Sequence, residues 1–206
     1  MTRDVHIVDD DADTREILTL LLESAGFRCF RHESAEALAA SWTPDMAGCV
    51  LLDVLMPGVG GIELLRWLQA RRSLLAVVVL TGEGHTQLAV QAIKAGALEF
   101  LEKPCDSATV VRVVESAVEE SAGRARAAQA RRTLRETHQR LSPREREVMA
   151  LVCQGLANKS IGPMLGIAHR TVEAHRAQVM AKMGASSLAQ LVKMQMTLNE
   201  GDDAAP

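Results

Sequence analysis

Five short segments with the pattern of strands, each followed by a helical pattern, restrict the fold of this chain more than any other feature. They cover residues 5–8, 27–31, 49–53, 76–80 and 99–102. The segment at 76–80 is apolar at every position instead of alternating, which is typical of a parallel strand covered by helices on both faces of a sheet. The pattern therefore predicts an α/β domain with a five-stranded parallel, doubly wound sheet.

Polar side chains stand where these predicted strands end. Asp9 and Asp10 follow the first strand, Asp53 ends the third, Thr81 follows the fourth and Lys103 the fifth. Because ligand sites of such sheets lie at the carboxyl ends of the strands, we expect these five side chains to converge. Each acid alone could instead cap a helix or face solvent, but the coincidence of all five at strand ends argues against that alternative.

The expected cluster suits phosphoryl transfer to a carboxylate. Neighbouring carboxylates repel each other unless a cation joins them, and Mg²⁺ prefers such oxygen ligands. The ion can also neutralise a phosphoryl group. Asp53 is a candidate nucleophile that becomes an acyl phosphate. The Lys103 ammonium and the Thr81 hydroxyl would then donate hydrogen bonds to the phosphate oxygens.

The second part of the chain is all helical in pattern. Four patterns occupy residues 143–154, 159–165, 170–183 and 187–197, with Gly155, Gly166 and Gly184 between them. Ser142 and Glu145 form a capping box around Pro143 at the first helical position. A short helix, a glycine turn and a longer helix are the spacing of a helix-turn-helix. A plain amphipathic helix with a solvated polar face would give a similar pattern at 170–183.

Charge divides the chain at the same place. Residues 1–120 carry 10 Lys and Arg against 19 Asp and Glu, whereas residues 121–206 carry 13 against 7. The basic part suits a polyanion such as DNA. Between the two parts, an Ala, Arg and Glu-rich stretch predicts a helical connector. We therefore predict a first domain at 3–121, a helical linker at 122–137, a second domain at 138–197 and a disordered tail at 198–206.

The first domain resembles the receiver domain of response regulators in its motifs Val8-Asp9-Asp10, Asp53 with Met56-Pro57, Thr81-Gly82 and Lys103-Pro104. The resemblance implies a flavodoxin-like fold and a phosphoacceptor that a cognate sensor histidine kinase phosphorylates. The residues it implies are Asp53 as phosphoacceptor; Asp9, Asp10, Asp53 and the backbone carbonyl of Leu55 as Mg²⁺ ligands; Thr81 and Lys103 as phosphate ligands; and Phe100 as the switch aromatic.

The second domain resembles the LuxR-type helix-turn-helix in residues 141–145, Gly155, 158–161 and 170–176. Together the two resemblances identify the NarL/FixJ family, and residues 5–10, 82–85 and 170–182 are most similar to its FixJ branch. They imply an all-α four-helix domain with a recognition helix at 170–182. The implied DNA-binding residues are Lys159, Arg170, Thr171, Glu173, Ala174, Arg176, Ala177 and Lys182.

Two departures from the family pattern affect this second domain. Gly162-Pro163 lies inside the short scaffold helix, where Pro163 removes a backbone hydrogen bond. Ala168 stands where a capping Ser or Thr is common before the recognition helix. We expect a less stable or re-aimed helix pair, with the fold unchanged.

The function expected from these features is that of a two-component response regulator. Phosphorylation of Asp53 would promote a homodimer and sequence-specific binding to double-stranded DNA, with RNA polymerase as a further candidate partner. A phosphohydrolase of the haloacid dehalogenase type is one alternative, but it needs a second Asp two residues after the nucleophile, where this chain has Leu55. A second alternative is a regulator that binds DNA without phosphorylation. The acidic pocket of such a regulator would usually be incomplete, whereas the pocket residues are all present here.

The sequence predicts a cytoplasmic protein with no membrane partner, and the resemblance to response regulators implies that it is not an enzyme. The longest apolar stretch, residues 74–80, is too short to span a bilayer, and acids follow the first apolar run at once. The four cysteines share no metal-ligand spacing, which favours reduced thiols.

Overall fold

The computed structural model describes residues 3–82 and 86–199. The chain forms two compact units, one that extends to Arg126 and one that begins at Ala127, and helix α5 (Ser107–Gln139) includes residues of both. The predicted linker, 122–137, lies within α5. Residues 83–85 of the FixJ-like stretch and 200–206 of the predicted tail lie outside the described residues. No described helix is long and apolar enough to cross a membrane.

The first unit is the predicted five-stranded parallel sheet with helices on both faces. Its strands are β1 (Asp4–Val8), β2 (Arg28–His32), β3 (Cys49–Leu52), β4 (Ala76–Thr81) and β5 (Glu99–Glu102). They lie in the order β2-β1-β3-β4-β5, and every neighbouring pair is parallel. The remaining helices of this unit are α1 (Ala12–Ser24), α2 (Ala35–Ser41), α3 (Gly61–Ala70) and α4 (Thr86–Lys94).

Alternate residues of each central strand enter two different cores. On one face, Val8, Leu52 and Val79 pack with apolar side chains of α2, α3 and α4. On the other, Ile7 and Leu51 pack with side chains of α1 and α5. Because both faces are covered, β3 and residues 76–80 of β4 are apolar at every position.

The second unit contains α6 (Pro143–Cys153), α7 (Asn158–Leu165), α8 (His169–Met183) and α9 (Leu188–Asn199). The predicted capping box is present: Glu145 N donates to Ser142 Oγ, and Ser142 N donates to the Glu145 carboxylate. Gly166 and Gly184 end α7 and α8 in the left-handed conformation that glycine adopts without steric cost. One apolar core, which includes Met149, Ile161 and Leu191, joins the four helices.

Candidate functional sites

The carboxyl edge of the sheet brings four of the predicted pocket residues onto adjacent strand ends. The amide of Asp53 donates to the carbonyl of Val8 at 2.8 Å, which aligns the ends of β3 and β1. The amide of Lys103 donates to the carbonyl of Thr81, also at 2.8 Å, which aligns β5 with β4. Strand order and parallel pairing therefore carry Asp9, Asp53, Thr81 and Lys103 to one edge.

Lys103 lies between the carboxylates of Asp9 and Asp53 at this edge. Its Nζ donates to Asp9 Oδ2 at 2.7 Å and to Asp53 Oδ2 at 2.9 Å. The Asp9 side chain is 4% exposed and that of Asp53 is 11% exposed. Partial burial disfavours the charged amine, but hydrogen bonds to Asp9 and Asp53 outweigh it and raise the pKa of Lys103. Lys103 is therefore a fixed positive charge beside the candidate phosphoacceptor.

Backbone amides orient the second oxygen of each carboxylate. The amide of Asp11 donates to Asp9 Oδ1, and the amide of Leu55 donates to Asp53 Oδ1, each at 2.9 Å. Arg15 was not predicted as part of the site, yet its Nη1 donates to the Asp9 carbonyl at 2.6 Å. The only sequence feature that could have indicated a role for Arg15 is its position one turn into α1, just after the acidic end of β1. Asp10 is exposed at the same edge.

Thr81 and Phe100, the other two predicted switch residues, differ in burial and in their contacts. The Thr81 hydroxyl is fully buried and has no hydrogen-bond partner among residues 3–82 and 86–199. A buried unpaired hydroxyl costs stability, so this atom is available to a ligand oxygen. Phe100 is half-buried against the core that covers the α2, α3 and α4 face.

Close packing fixes the loop that follows Asp53. A Cβ atom on Gly61 would lie 2.6 Å from the Asp53 carbonyl oxygen and 2.7 Å from Val54 Cα. Only glycine therefore allows the start of α3 to approach the backbone of the candidate phosphoacceptor this closely. Gly61 was not among the predicted site residues.

The donor set suits a hard divalent cation in its chemistry. The carboxylates of Asp9, Asp10 and Asp53 and the carbonyl of Leu55 are all oxygen donors, which Mg²⁺ prefers. Over the described parts of the chain, no three His, Cys, Asp or Glu side chains converge in metal-binding geometry. Instead, the Lys103 ammonium joins Asp9 and Asp53. The four residues fit Mg²⁺ by ligand type, and the carboxylates of Asp9 and Asp53 are already adjacent.

Helix α8 presents most of the predicted DNA-binding residues on an exposed face. Its buried side holds Val172, Val179 and Met183. The exposed predicted residues of this helix are Arg170, Thr171, Glu173, Ala174, Ala177 and Lys182, while Arg176 is half-buried and Lys159 is exposed on α7. Spacing of three and four residues places Arg170, Glu173, Ala174 and Ala177 along one stripe. This stripe is the candidate nucleic-acid interface.

Arg176 and Lys182, both predicted DNA-binding residues, also donate hydrogen bonds inside the second unit. Arg176 Nη1 donates to Asn158 Oδ1 at 3.1 Å. Lys182 Nζ donates to both oxygens of Glu145, at 2.8 and 2.7 Å, and the Glu145 side chain is 2% exposed. The pKa of Glu145 is lowered, chiefly by the hydrogen bond from Lys182. Lys182 thus connects α8 to the first turn of α6.

The two departures have different structural consequences. A Cβ on Gly162 would lie 2.9 Å from the Ile167 carbonyl oxygen, and the Ile167 amide donates to the Gly162 carbonyl. Gly162 therefore permits the tight turn between α7 and α8, a reason for this glycine that the sequence pattern did not provide. Ala168 precedes α8 in extended conformation and makes no side-chain capping bond, as expected.

Comparison with known proteins gives matches to both units. The model of the response regulator receiver domain matches residues 5–115, and that of the bacterial regulatory proteins of the LuxR family matches residues 139–195. The transcriptional regulatory protein FixJ of Azorhizobium caulinodans is 46% identical over 98% of this chain and 97% of its own. The C4-dicarboxylate transport transcriptional regulatory protein DctR of Rhodobacter capsulatus is 45% identical over 94% and 100%.

Solved structures give the same result. The response regulator StyR has a TM-score of 0.81 at 37% identity and covers 95% of this chain and 99% of its own. Full-length FixJ from B. japonicum has a TM-score of 0.58 at 39% identity, with 97% and 99% covered. These relatives are transcriptional regulators and response regulators, which argues against a phosphohydrolase.

Proposed function

This chain belongs to the response regulators that join a receiver domain to a LuxR-type DNA-binding domain, and we propose that phosphorylation of Asp53 controls its binding to DNA. The observation that carries the proposal is the contact of Lys103 Nζ with Asp53 Oδ2 and Asp9 Oδ2 at the carboxyl edge of the sheet. It supports a carboxylate nucleophile beside a fixed positive charge.

The transfer step follows from these contacts. A carboxylate oxygen of Asp53 attacks the phosphorus of a phosphohistidine in a sensor kinase, the P–N bond breaks, and the kinase histidine leaves with the electron pair. Lys103, already beside Asp53 Oδ2, donates to the incoming phosphoryl oxygens. Asp9, Asp10, Asp53 and the Leu55 carbonyl would hold Mg²⁺, which neutralises phosphoryl charge when bound.

The switch begins with groups that the unphosphorylated pocket leaves available. The buried Thr81 hydroxyl turns toward a phosphoryl oxygen and gains the hydrogen bond it lacks among the described residues. Phe100, half-buried one strand away, then moves into the space that Thr81 leaves. Phosphorylation thereby shifts the populations of two receiver conformations.

The output of the shifted receiver is a homodimer that binds double-stranded DNA. Two copies of α8 would contact two half-sites of an operator. Glu173, Ala174 and Ala177 would meet base edges, while Lys159 and Thr171 would contact phosphates. Lys182 would contact a base edge or a phosphate. Arg176, which donates a hydrogen bond to Asn158 in the free chain, would also contact DNA from this surface. The kinase, DNA and a second copy of the chain are the proposed partners, and RNA polymerase is a further candidate.

The phosphoacceptor is tested by intact-mass spectrometry after incubation with a small phosphodonor and Mg²⁺. We expect one hydroxylamine-sensitive phosphoryl group on the wild type and none on Asp53→Asn. The exposed Asp13→Asn is the matched control and should be modified like the wild type. Modification of Asp53→Asn to the wild-type extent would contradict the assignment.

Lys103 is tested through its charge. Without the ammonium, Asp9 and Asp53 face each other with no cation between them, so Mg²⁺ becomes their main neutralising ion. We expect Lys103→Met to unfold at a lower temperature than the wild type in EDTA and to recover more stability than the wild type when Mg²⁺ is added. Equal Mg²⁺ responses in the two proteins would contradict a shared cation site.

A further inference from the structure

Two histidines that the phosphorylation site does not use meet on the sheet. His6 lies in β1 and His32 ends β2, and His6 Nδ1 is 3.0 Å from His32 Nε2. His6 is only 4% exposed. Both line a cavity of about 410 Å³ beside the edge strand, together with Asp4, Phe30, Ser41, Asp45, Met46 and Ala47. The cavity thus contains two imidazoles, two carboxylates and a thioether.

We propose that the His6–His32 pair binds a borderline divalent transition-metal ion, of the class of Zn²⁺, Ni²⁺ or Cu²⁺. Imidazole nitrogen is a favoured ligand of these ions. With metal–nitrogen bonds of about 2.0–2.1 Å, two ligand nitrogens lie about 2.9 Å apart at a right angle and about 3.3 Å apart at the tetrahedral angle. The observed 3.0 Å lies within that interval.

The two rings are held in place and in the protonation state that binds metal. His6 stacks on Phe30, with ring centroids 4.9 Å apart and an interplanar angle of 15°. Burial lowers the pKa of His6 to about 4 and also lowers the pKa of His32. Neutral imidazoles are the ligand form, and in this pair one ring donates a single N–H to the other. When an ion binds, that proton moves to the other nitrogen of the same ring, so that both facing nitrogens can coordinate.

The remaining coordination positions belong to exchangeable ligands. Asp4 is already engaged, because Arg28 donates to both of its oxygens at 2.9 and 2.5 Å. Asp45 is the other carboxylate that lines the cavity. Among the residues described, no third His, Cys, Asp or Glu converges with the pair. The site accordingly binds reversibly, with two protein nitrogens and water.

This nitrogen site is separate from the oxygen site proposed for Mg²⁺, although the two are connected. The carbonyl of His32 accepts a hydrogen bond of 3.3 Å from the Asp9 amide. Zn²⁺ prefers nitrogen and sulfur donors, whereas Mg²⁺ prefers oxygen. Excess Mg²⁺ therefore occupies the carboxylate pocket without competing strongly for the two imidazoles.

The test is a Zn²⁺ titration of the full chain without a histidine tag, in excess Mg²⁺. Imidazole nitrogens are followed by long-range ¹H–¹⁵N NMR, and affinity is measured by calorimetry. We expect one equivalent of Zn²⁺ to shift the signals of His6 Nδ1 and His32 Nε2. We also expect His32→Gln to weaken binding roughly tenfold or more, since even supporting residues of metal sites have effects of that size.

The control is His169→Gln, because His169 is exposed on α8 and should bind no ion with the pair. Its affinity for Zn²⁺ is expected to equal that of the wild type. The wild-type NMR spectrum requires no variant, so the test stands even if His32→Gln impairs folding. Unshifted His6 and His32 signals at saturating Zn²⁺, or equal affinity in His32→Gln and wild type, would overturn the proposal.

Discussion

Replacing Glu145 by Gln isolates the charged contact between α6 and α8. The carboxylate accepts three hydrogen bonds: two from Lys182 Nζ, at 2.8 and 2.7 Å, and one from Ser142 N, at 2.7 Å. Glutamine keeps an oxygen for the Ser142 amide, so the capping box survives. It lacks the charge that Lys182 Nζ meets, and its amide nitrogen cannot accept from Lys182.

The magnitude follows from burial at the two ends of the pair. Hydrogen bonds to charged groups contribute about 1.5–3 kcal/mol. Lys182 is 43% exposed and regains water when the pair breaks, which places the loss near the lower end, about 2 kcal/mol. At 1.36 kcal/mol for each tenfold change, amide exchange limited by opening of α6 and α8 should accelerate about 30-fold.

Hydrogen–deuterium exchange of the full chain measures this effect segment by segment. The matched control is Glu136→Gln, the same change in an exposed pair whose partner is Arg132. An exposed helical pair contributes at most about 0.5 kcal/mol, so exchange there should accelerate less than about threefold. If Glu145→Gln accelerated exchange in α6 and α8 no more than the control does, the pair would not connect these helices.

The same pair gives an acid dependence whose sign is fixed. The pKa of Glu145 is lower in the folded chain than its ordinary value, because Lys182 donates to the carboxylate. Its stabilisation is therefore full above the ordinary glutamate pKa and is lost as the pH falls through the lowered one. Protection of α6 and α8 in the wild type should fall on acidification by an amount that Glu145→Gln does not show.

Three other substitutions test separate parts of the structure. Thr81→Val removes a buried unpaired hydroxyl, so it should stabilise the unphosphorylated chain by about 1 kcal/mol in urea unfolding while slowing its phosphorylation. Ala168→Ser should stabilise α8 by about 1 kcal/mol by supplying the absent cap, and unchanged exchange in α8 would refute this. Gly162→Ala should destabilise the second unit by about 1–3 kcal/mol, because its Cβ meets the Ile167 carbonyl. The control Gly123→Ala in α5 should be neutral or stabilising. Equal unfolding midpoints for the two variants would contradict the packing argument.

The sequence allowed the sheet and the carboxyl-edge pocket to be predicted because both depend on local patterns. Apolar strands separated by helices indicate parallel strands, and residues after parallel strands meet at one edge. Asp9, Asp53 and Lys103 were predicted in this way. Their ion pairing was not, because it depends on side-chain directions that strand order alone leaves open.

Contacts between distant segments could not be predicted from the pattern. Glu145 reads locally as half of a capping box, and nothing near it indicates Lys182, which lies 37 residues later. In sequence, Gly162 indicates only a helix breaker, and its role in the turn follows from its close approach to Ile167 in the folded chain. His6 and His32 lie on separate strands whose pairing register brings their rings together. Each case depends on tertiary packing instead of periodicity.

The central claim is that Asp53 converts a phosphoryl signal into DNA binding. It is tested most directly by sedimentation and DNA binding with and without a small phosphodonor and Mg²⁺, in the wild type and in Asp53→Asn. We predict that the donor drives dimerisation and tighter DNA binding in the wild type alone. Equal dimerisation and DNA affinity in all four samples would show that Asp53 is not the switch and that the chain is either constitutive or regulated through another surface.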